Sequence, residues 1–341
     1  TTAQPLVNGS VNFIDARTLI TAINQTVVIK NERIDISPEA VSFPHFTIRD
    51  AQNNTAVVNG AVNMTAFKDF RFNLEISTND FMALNSTYKQ NKTFNGRIIL
   101  DSRIKITGTP ALPIIDSKIK LLPGSVISFT VPESKLTADK GEGVVEFDID
   151  TVNLHRIMLN GLRGIRTKSE FKGIDLTANI EVDRRSTLKL CLDPSSTDSL
   201  ILKGDAVLGF GIDQSGKLSL VGTYIIASGS YELTLQDIVS KKFVLREGSK
   251  ISWTGDPLSA IIDITAEHDV KTTPENLLAA SPGGRVTDVS ATRNALKFMV
   301  LMNLKGELLK PNIHFQLDLD PSQRQALNGE VYARVTALNV N

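Results

Sequence analysis

Apolar and polar side chains alternate along most of this chain. One phrase recurs: apolar, polar, apolar, polar, glycine. It reads Ile104-Lys105-Ile106-Thr107-Gly108 and Leu200-Ile201-Leu202-Lys203-Gly204. It returns as Leu218-Ser219-Leu220-Val221-Gly222, Ile251-Ser252-Trp253-Thr254-Gly255 and Met302-Asn303-Leu304-Lys305-Gly306, with a weaker copy at Ala56-Val57-Val58-Asn59-Gly60. A period of two gives each segment one apolar and one polar face, the mark of a strand with one wet side. The same alternation runs through Phe72, Leu74 and Ile76, through Ile127 and Phe129, through Val145, Phe147 and Ile149, through Ile262 and Ile264, and through Ile313, Phe315, Leu317 and Leu319. Buried parallel strands read instead as unbroken Val/Ile/Leu runs, so an α/β fold is excluded. The glycine marks a bend or turn where a side chain would be in the way.

The phrase extends into a unit. Gly108 is followed five residues later by Pro113, and Gly306 by Pro311, each just before another strand. Proline there fixes the start of the strand and removes a donor. Gly255 begins a variant with Pro257 early and Ala260 at the later position. These are internal repeats of strand, turn and strand at unequal spacing, which excludes a short-period β-helix. At about twelve residues per strand and turn, the chain predicts about 28 strands and a stack on the order of 130 Å long.

Helical signals are few. Asn79 to Leu84 reads as one helical turn. Thr273-Pro274-Glu275 starts a short helix running to Ala280. The clearest signal is at the end, where Asp320 caps, Pro321 is the first helical residue and Gln323 completes a capping box, with Asn328-Gly329 a weak point. The expectation is therefore all-β: one continuous repetitive β-trough domain over 1–341, an elongated curled sheet with an apolar interior, closed by a capped helical segment over 320–341. Two sheets packed face to face would satisfy the same alternation.

Composition changes this picture little. The 341 residues carry 37 basic and 37 acidic side chains, so nucleic acid is not an expected partner. Apolar residues at 41% argue against disorder. No apolar run approaches the ~18 residues of a membrane span. The first residues, Thr1-Thr2-Ala3-Gln4, read as an internal cut, which places any anchor outside the sequence. The single cysteine, Cys191, lies on a strand face opposite Leu190 and Leu192 and reads as an ordinary strand residue.

No catalytic constellation is legible, and neither enzyme activity nor a cofactor is expected. His45, His155, His268 and His314 are scattered with no metal-ligand spacing, so no metal site is expected. Asp148 with Asp150, and Asp318 with Asp320, are i, i+2 carboxylate pairs that share a strand face. They suit a Ca²⁺ ion or an acid pair, but read first as a solvated face. A polysaccharide-processing β-helix or an adhesin would need a carboxylate or aromatic cluster that the sequence does not offer.

The order of the phrases is more specific than any one of them. Gly222-Thr223-Tyr224 leads to Ser228-Gly229-Ser230-Tyr231, then Lys242-Phe243 and Gly248, then Gly255-Asp256-Pro257, then Ile262-Asp263-Ile264-Thr265-Ala266. This order resembles the C-terminal domain of the TamB family, AsmA-like proteins of Gram-negative bacteria. Lys305-Gly306 to Pro311, then Ile313-His314-Phe315, resembles that family's next repeat. The segment Ala326 to Arg334 resembles its Bacteroidetes-type members. The likeness is strongest over 197–319 and continues upstream through Asn12 to Arg17 and Phe46 to Gln52.

The resemblance implies a trough, called a β-taco, that conducts phospholipid across the periplasm and supports outer-membrane biogenesis. It implies a periplasmic location, an inner-membrane anchor outside this sequence, and a BamA-like outer-membrane partner, TamA, met through the C-terminal end. The apolar positions then become the expected lipid contacts: Ile104, Ile106, Ile119, Ile127, Phe129, Val145, Phe147, Ile149, Leu190, Leu202, Leu220, Leu235, Trp253, Ile262, Ile264, Phe315 and Leu317. The alternative role is a chaperone-like module whose sheet edges pair with strands of outer-membrane β-barrel proteins.

Overall fold

The computed structural model describes residues 7–21, 24–65, 68–92, 94–130, 173–191, 199–235, 239–257, 259–279, 294–307 and 310–339. Its strands are β1 (Gly9–Ile20), β2 (Gln25–Ile36), β3 (Ala40–Arg49), β4 (Thr55–Thr65), β5 (Lys68–Ser86) and β6 (Phe94–Thr109). There follow β7 (Leu112–Leu121), β8 (Val126–Thr130), β9 (Asp175–Val182), β10 (Thr187–Cys191), β11 (Ser199–Ile212) and β12 (Leu218–Leu235). The last are β13 (Val239–Leu245), β14 (Lys250–Gly255), β15 (Ile261–Thr272), β16 (Leu296–Glu307) and β17 (Lys310–Leu319). All seventeen belong to one sheet, so among the described residues no second sheet packs on the first. The fold is the expected all-β curled sheet.

Strands β1 to β6 form an antiparallel meander. The long β6 is then covered by two shorter strands end to end, β7 along Leu100–Thr109 and β8 along Phe94–Arg97. These pair in parallel with β9 and β10, which share the length of β11. β12 is likewise covered by β13 and β14, and β15 to β17 complete the stack. Among the described residues, three end-to-end pairs in the seventeen strands leave fourteen rungs, on the order of 60 Å at ~4.8 Å per rung. The expectation of about 28 strands is too high because single strands run much longer than assumed, up to 19 residues in β5. Part of the sequence, 131–172, also lies outside the described residues.

Of the recurring glycines, Gly60, Gly204 and Gly222 lie inside strands, while Gly108, Gly255 and Gly306 stand at or next to strand ends, beside turns. Gly60 sits opposite Leu74 with φ at 107°, and a Cβ there would stand 2.1 Å from the Asn73 carbonyl oxygen. Gly222, with φ at 133°, would bring a Cβ within 2.4 Å of the Val207 carbonyl oxygen. Real Cβ atoms do not approach so closely, so only glycine lets neighbouring backbones close up on the inner side. The glycine–proline unit is a hairpin: Gly108 faces Pro113 and Gly306 faces Pro311 in direct register.

Residues Asn79 to Leu84 are not a helical turn. They lie in β5, which is bulged between Thr78 and Phe81 and again between Met82 and Leu84, with Asp80 at φ 50°. The kink is held by Asp50, which is 2% exposed. Its carboxylate accepts from the Gln52 and Asn54 amides (2.9 Å each), the Asn54 side chain (3.1 Å) and the Met82 amide (2.9 Å). Four donors compensate the burial of one charge and lock the β3–β4 turn to the β5 kink.

The C-terminal end is closed by helices. α1 (Glu275–Ala279) and α2 (Glu330–Leu338) meet the last strands, with Val331 and Val335 buried against Leu278, Leu296, Phe298 and Leu319. Asp320 caps a 3-10 turn at Pro321–Gln323, accepting from the Ser322 amide at 3.0 Å. The capping box does not close: Gln323 instead accepts from the Lys297 amide at 2.7 Å, where the β16 ladder outruns β17. The Asn328-Gly329 weak point is a true break, with Leu327, Asn328 and Gly329 in succession at φ 51°, 55° and 81°.

Candidate functional site

Register carries one face of the sheet from strand to strand. Across β5, β6, β7, β9, β11, β12 and β14 one row reads Ile76, Ile104, Ser117, Ala178, Phe210, Leu220 and Gly255. The next row reads Thr78, Ser102, Ile119, Ile180, Leu208, Gly222 and Trp253. Further on, Ile251 faces Ile262, Ile264 faces Leu304, and Leu304 faces Ile313. The alternate positions carry the charges, as in Glu75–Lys105–Asp116 and Asp101–Lys120–Glu181. Ion pairs lace that second face, among them Lys120 with Glu181 at 3.0 Å, Arg246 with Glu267 at 2.8 Å and Lys297 with Asp269 at 3.0 Å. The sheet thus has one apolar and one charged side over most of its length.

The apolar side is not uniform. From β9 to β17 its side chains fill the space over the sheet themselves. Leu202, Tyr224, Ile226, Tyr231, Phe243, Leu245, Ile262, Ile264, Met302 and Leu304 are all buried in one cluster. From β5 to β7 no comparable cluster forms, and Leu74, Ile76, Ile104, Ile106, Ile115 and Ile119 stay half-buried. Near the β1 end only Val27, Ala56 and Phe81 pack closely, with Ile48 and Ala83. Aromatic residues occur in both parts, so no local sequence signal marks the closed one.

The expected positions divide accordingly. Ile104, Ile106, Ile119 and Ile127 stand half-buried on the apolar face, and so do Leu220, Trp253 and Leu317. Phe315 is 44% exposed there. Leu202, Ile262 and Ile264 belong to the same face but are covered by their neighbours. Phe129, Leu190 and Leu200 are in register across β8, β10 and β11, and Leu235 pairs with Val239 at the far end of β12. Val145, Phe147 and Ile149 lie outside the described residues, as do Asp148, Asp150 and His155. Sequence reading missed Leu74, Ile76, Ile180, Leu208 and Phe210, which share the face and differ from the chosen residues in no local signal.

Polar chemistry on the apolar side is sparse. Tyr224 faces Ala206 and Ile251, and its phenol is pushed up to about 12, first by burial and then by the Asp205 charge. Trp253 donates its indole N–H to the Pro257 carbonyl at 3.0 Å, which fixes the ring over the turn. Asp318 pairs with Arg324 at 3.0 Å and Asp320 with Lys297 at 3.5 Å, so these carboxylates serve ion pairs. Among the described residues no three His, Cys, Asp or Glu side chains converge as metal ligands, and no helix is long and apolar enough to cross a membrane.

A sheet of this kind, with glycine-marked repeats in this order, agrees with the comparison to protein families. The model of the TamB C-terminal domain matches residues 44–333. The chain belongs to the TamB family. Its family works in the cell envelope, in outer-membrane assembly and the transport of lipid or protein, with TamA-like partners in general. No curated protein matches the chain. The match begins within β3 and ends within α2, so the TamB domain takes in both the open and the self-filled parts of the apolar face.

Proposed function

We propose that the apolar face is a path for phospholipid acyl chains, and that this TamB-family chain carries lipid between the inner and outer membranes without catalysing a reaction. The observation that carries this reading is the face itself: mostly apolar positions carried from strand to strand from β5 to β17, interrupted at Thr78, Ser102 and Ser117 and covered by no second sheet among the described residues. A chain of about 16 methylenes costs on the order of 13 kcal/mol to expose to water, at ~0.8 kcal/mol each. A continuous apolar surface removes most of that cost at every rung. With few buried polar anchors, no rung holds the lipid tightly, as a conduit requires and a receptor pocket does not. Acyl chains sit first on the half-buried Ile104, Ile106, Ile119 and Ile127. From β11 to β16 the side chains must part to admit them.

The test is a charge placed on the path. Ile106→Asp buries a carboxylate in the groove at a half-buried position, so the fold survives. Lipid transfer between donor and acceptor vesicles falls more than tenfold, while Lys105→Asp on the opposite face leaves it unchanged. Transfer at the wild-type rate in Ile106→Asp would make the face an ordinary core.

One observation favours the strand-pairing role as well. Among the described residues the stack ends in two edge strands, β1 and β17, and β1 is mostly exposed. An edge strand offers free backbone groups to an extended segment of another protein. Proline substitutions along β1 that abolish barrel assembly but spare lipid transfer would separate this role from the first.

A further inference from the structure

The charged face carries an arrangement that packing does not explain. In β6 and β7, Arg103 and Lys118 stand directly opposite each other in the ladder. Like charges so placed repel, because their Cβ atoms are about 5 Å apart. The rows on either side are matched in sign: Glu75–Lys105–Asp116 on one side and Asp101–Lys120–Glu181 on the other. The row between them reads Ser77, Arg103, Lys118 and Asn179, with no acid in it. The acids Glu75, Asp101, Asp116 and Glu181 flank the pair on the diagonals and within the strands without pairing with it. Glu181 is held by Lys120 at 3.0 Å, and Asp101 accepts the Asp80 amide at 2.8 Å. Among the described residues neither Arg103 nor Lys118 lies within ion-pair distance of an acid.

The two cations also occupy a particular place. Two open depressions, about 540 and 490 Å³, lie on this face, and Arg103 and Lys118 line both. The first adds Ser77, Asn79 and Asn179, with Lys120 and the acids Asp101 and Glu181; the second adds Asn59 and Asn73, with Lys105 and the acids Glu75 and Asp116, so three cations face two carboxylates in each. A concave surface concentrates the field of charges that line it. With cations in excess of carboxylates in each depression, a guanidinium and an ammonium beside amide and hydroxyl groups suit an oxyanion bearing further polar groups.

We propose that the Arg103–Lys118 row binds a phosphate group, on the side of the sheet opposite the apolar face. The guanidinium takes two phosphate oxygens, the ammonium takes the remaining charge, and Ser77 and Asn179 bond what the phosphate is attached to. The site does not depend on lipid conduction, since no residue of the apolar path takes part. Unliganded, the row is held at a cost in stability, and ligand removes that cost.

Inorganic phosphate is the probe, added to the full chain and followed by thermal melting and titration calorimetry. Phosphate raises the melting temperature of the wild type and binds with a millimolar dissociation constant. Arg103→Gln weakens binding about tenfold or more, the loss of a charge-assisted pair of bonds. Without phosphate, Arg103→Gln melts about a degree above the wild type, because the repulsion is gone. Lys118→Glu, which places an acid opposite Arg103, melts higher still and loses the phosphate response, so misfolding does not account for the loss. Glycerol phosphate binding more tightly than inorganic phosphate would name a lipid headgroup as the source, and glucose 6-phosphate doing so would name a glycan. Variants that melt at or below the wild type without phosphate, or that keep its phosphate response, would overturn the assignment.

Discussion

Gly222 shows how one residue type shapes this protein. It faces Leu208 on one side and Trp253 on the other, where neighbouring backbones close to a distance that no Cβ tolerates. Gly222→Val is therefore expected to lower the denaturant midpoint by an amount equivalent to about 3 kcal/mol or more, through backbone strain and overpacking together. Tyr224, two residues on, reports on the same interior. Its phenol is raised to about 12, so the neutral form is favoured in the folded state. Its contribution to stability is present below pH 10 and is lost as pH rises through about 12. Alkaline absorbance titration should show a late phenolate step that Tyr224→Phe removes. At this scale the sequence was informative about sidedness, because a period of two assigns each residue to a face. It was silent about cover: Ile104 and Ile264 read alike, yet one is half-buried and the other 8% exposed.

Strands and hairpins were legible where the signal was local. The Gly108–Pro113 and Gly306–Pro311 spacings read as strand, turn and strand, and both are hairpins with the two residues paired. The segment Asn79 to Leu84 was misread because its kink depends on Asp50, 32 positions away from Met82. No local rule anticipates a bulge held by a distant carboxylate. The end of β17 is similar. Asn339 donates to the Leu317 carbonyl at 2.8 Å and accepts the Leu317 amide at 3.0 Å, so a side-chain amide covers part of the edge as a strand would. Asn339→Ala exposes that pair of groups. Analytical ultracentrifugation should then show a concentration-dependent dimer absent from the wild type, and amide exchange at Leu317 should quicken. An unchanged sedimentation profile and exchange rate would mean that α2 alone shields the edge.

At the largest scale, fourteen rungs in one sheet among the described residues give an elongated body with two unlike sides. All-β class and the apolar side were readable from alternation. The number of rungs was not, because strand length depends on how far neighbouring strands run alongside, and three rungs are shared by two short strands. Nor was the division of the apolar face, open from β5 to β7 and self-filled beyond β9, since it arises from side chains of separate strands that meet only when the sheet curls. This division matters to the proposed role, because the open part is where an acyl chain meets the least resistance. Photocrosslinking in intact cells tests that claim most directly. A photoreactive residue at Ile104 or Ile119 is placed on the open apolar face. One at Ile225 or Val244, 45% and 49% exposed, is placed on the opposite side, away from both depressions, and serves as an apolar control. The account predicts phospholipid adducts from the first two positions and none from the controls. Equal labelling of both faces, or no lipid at Ile104 and Ile119, would contradict it.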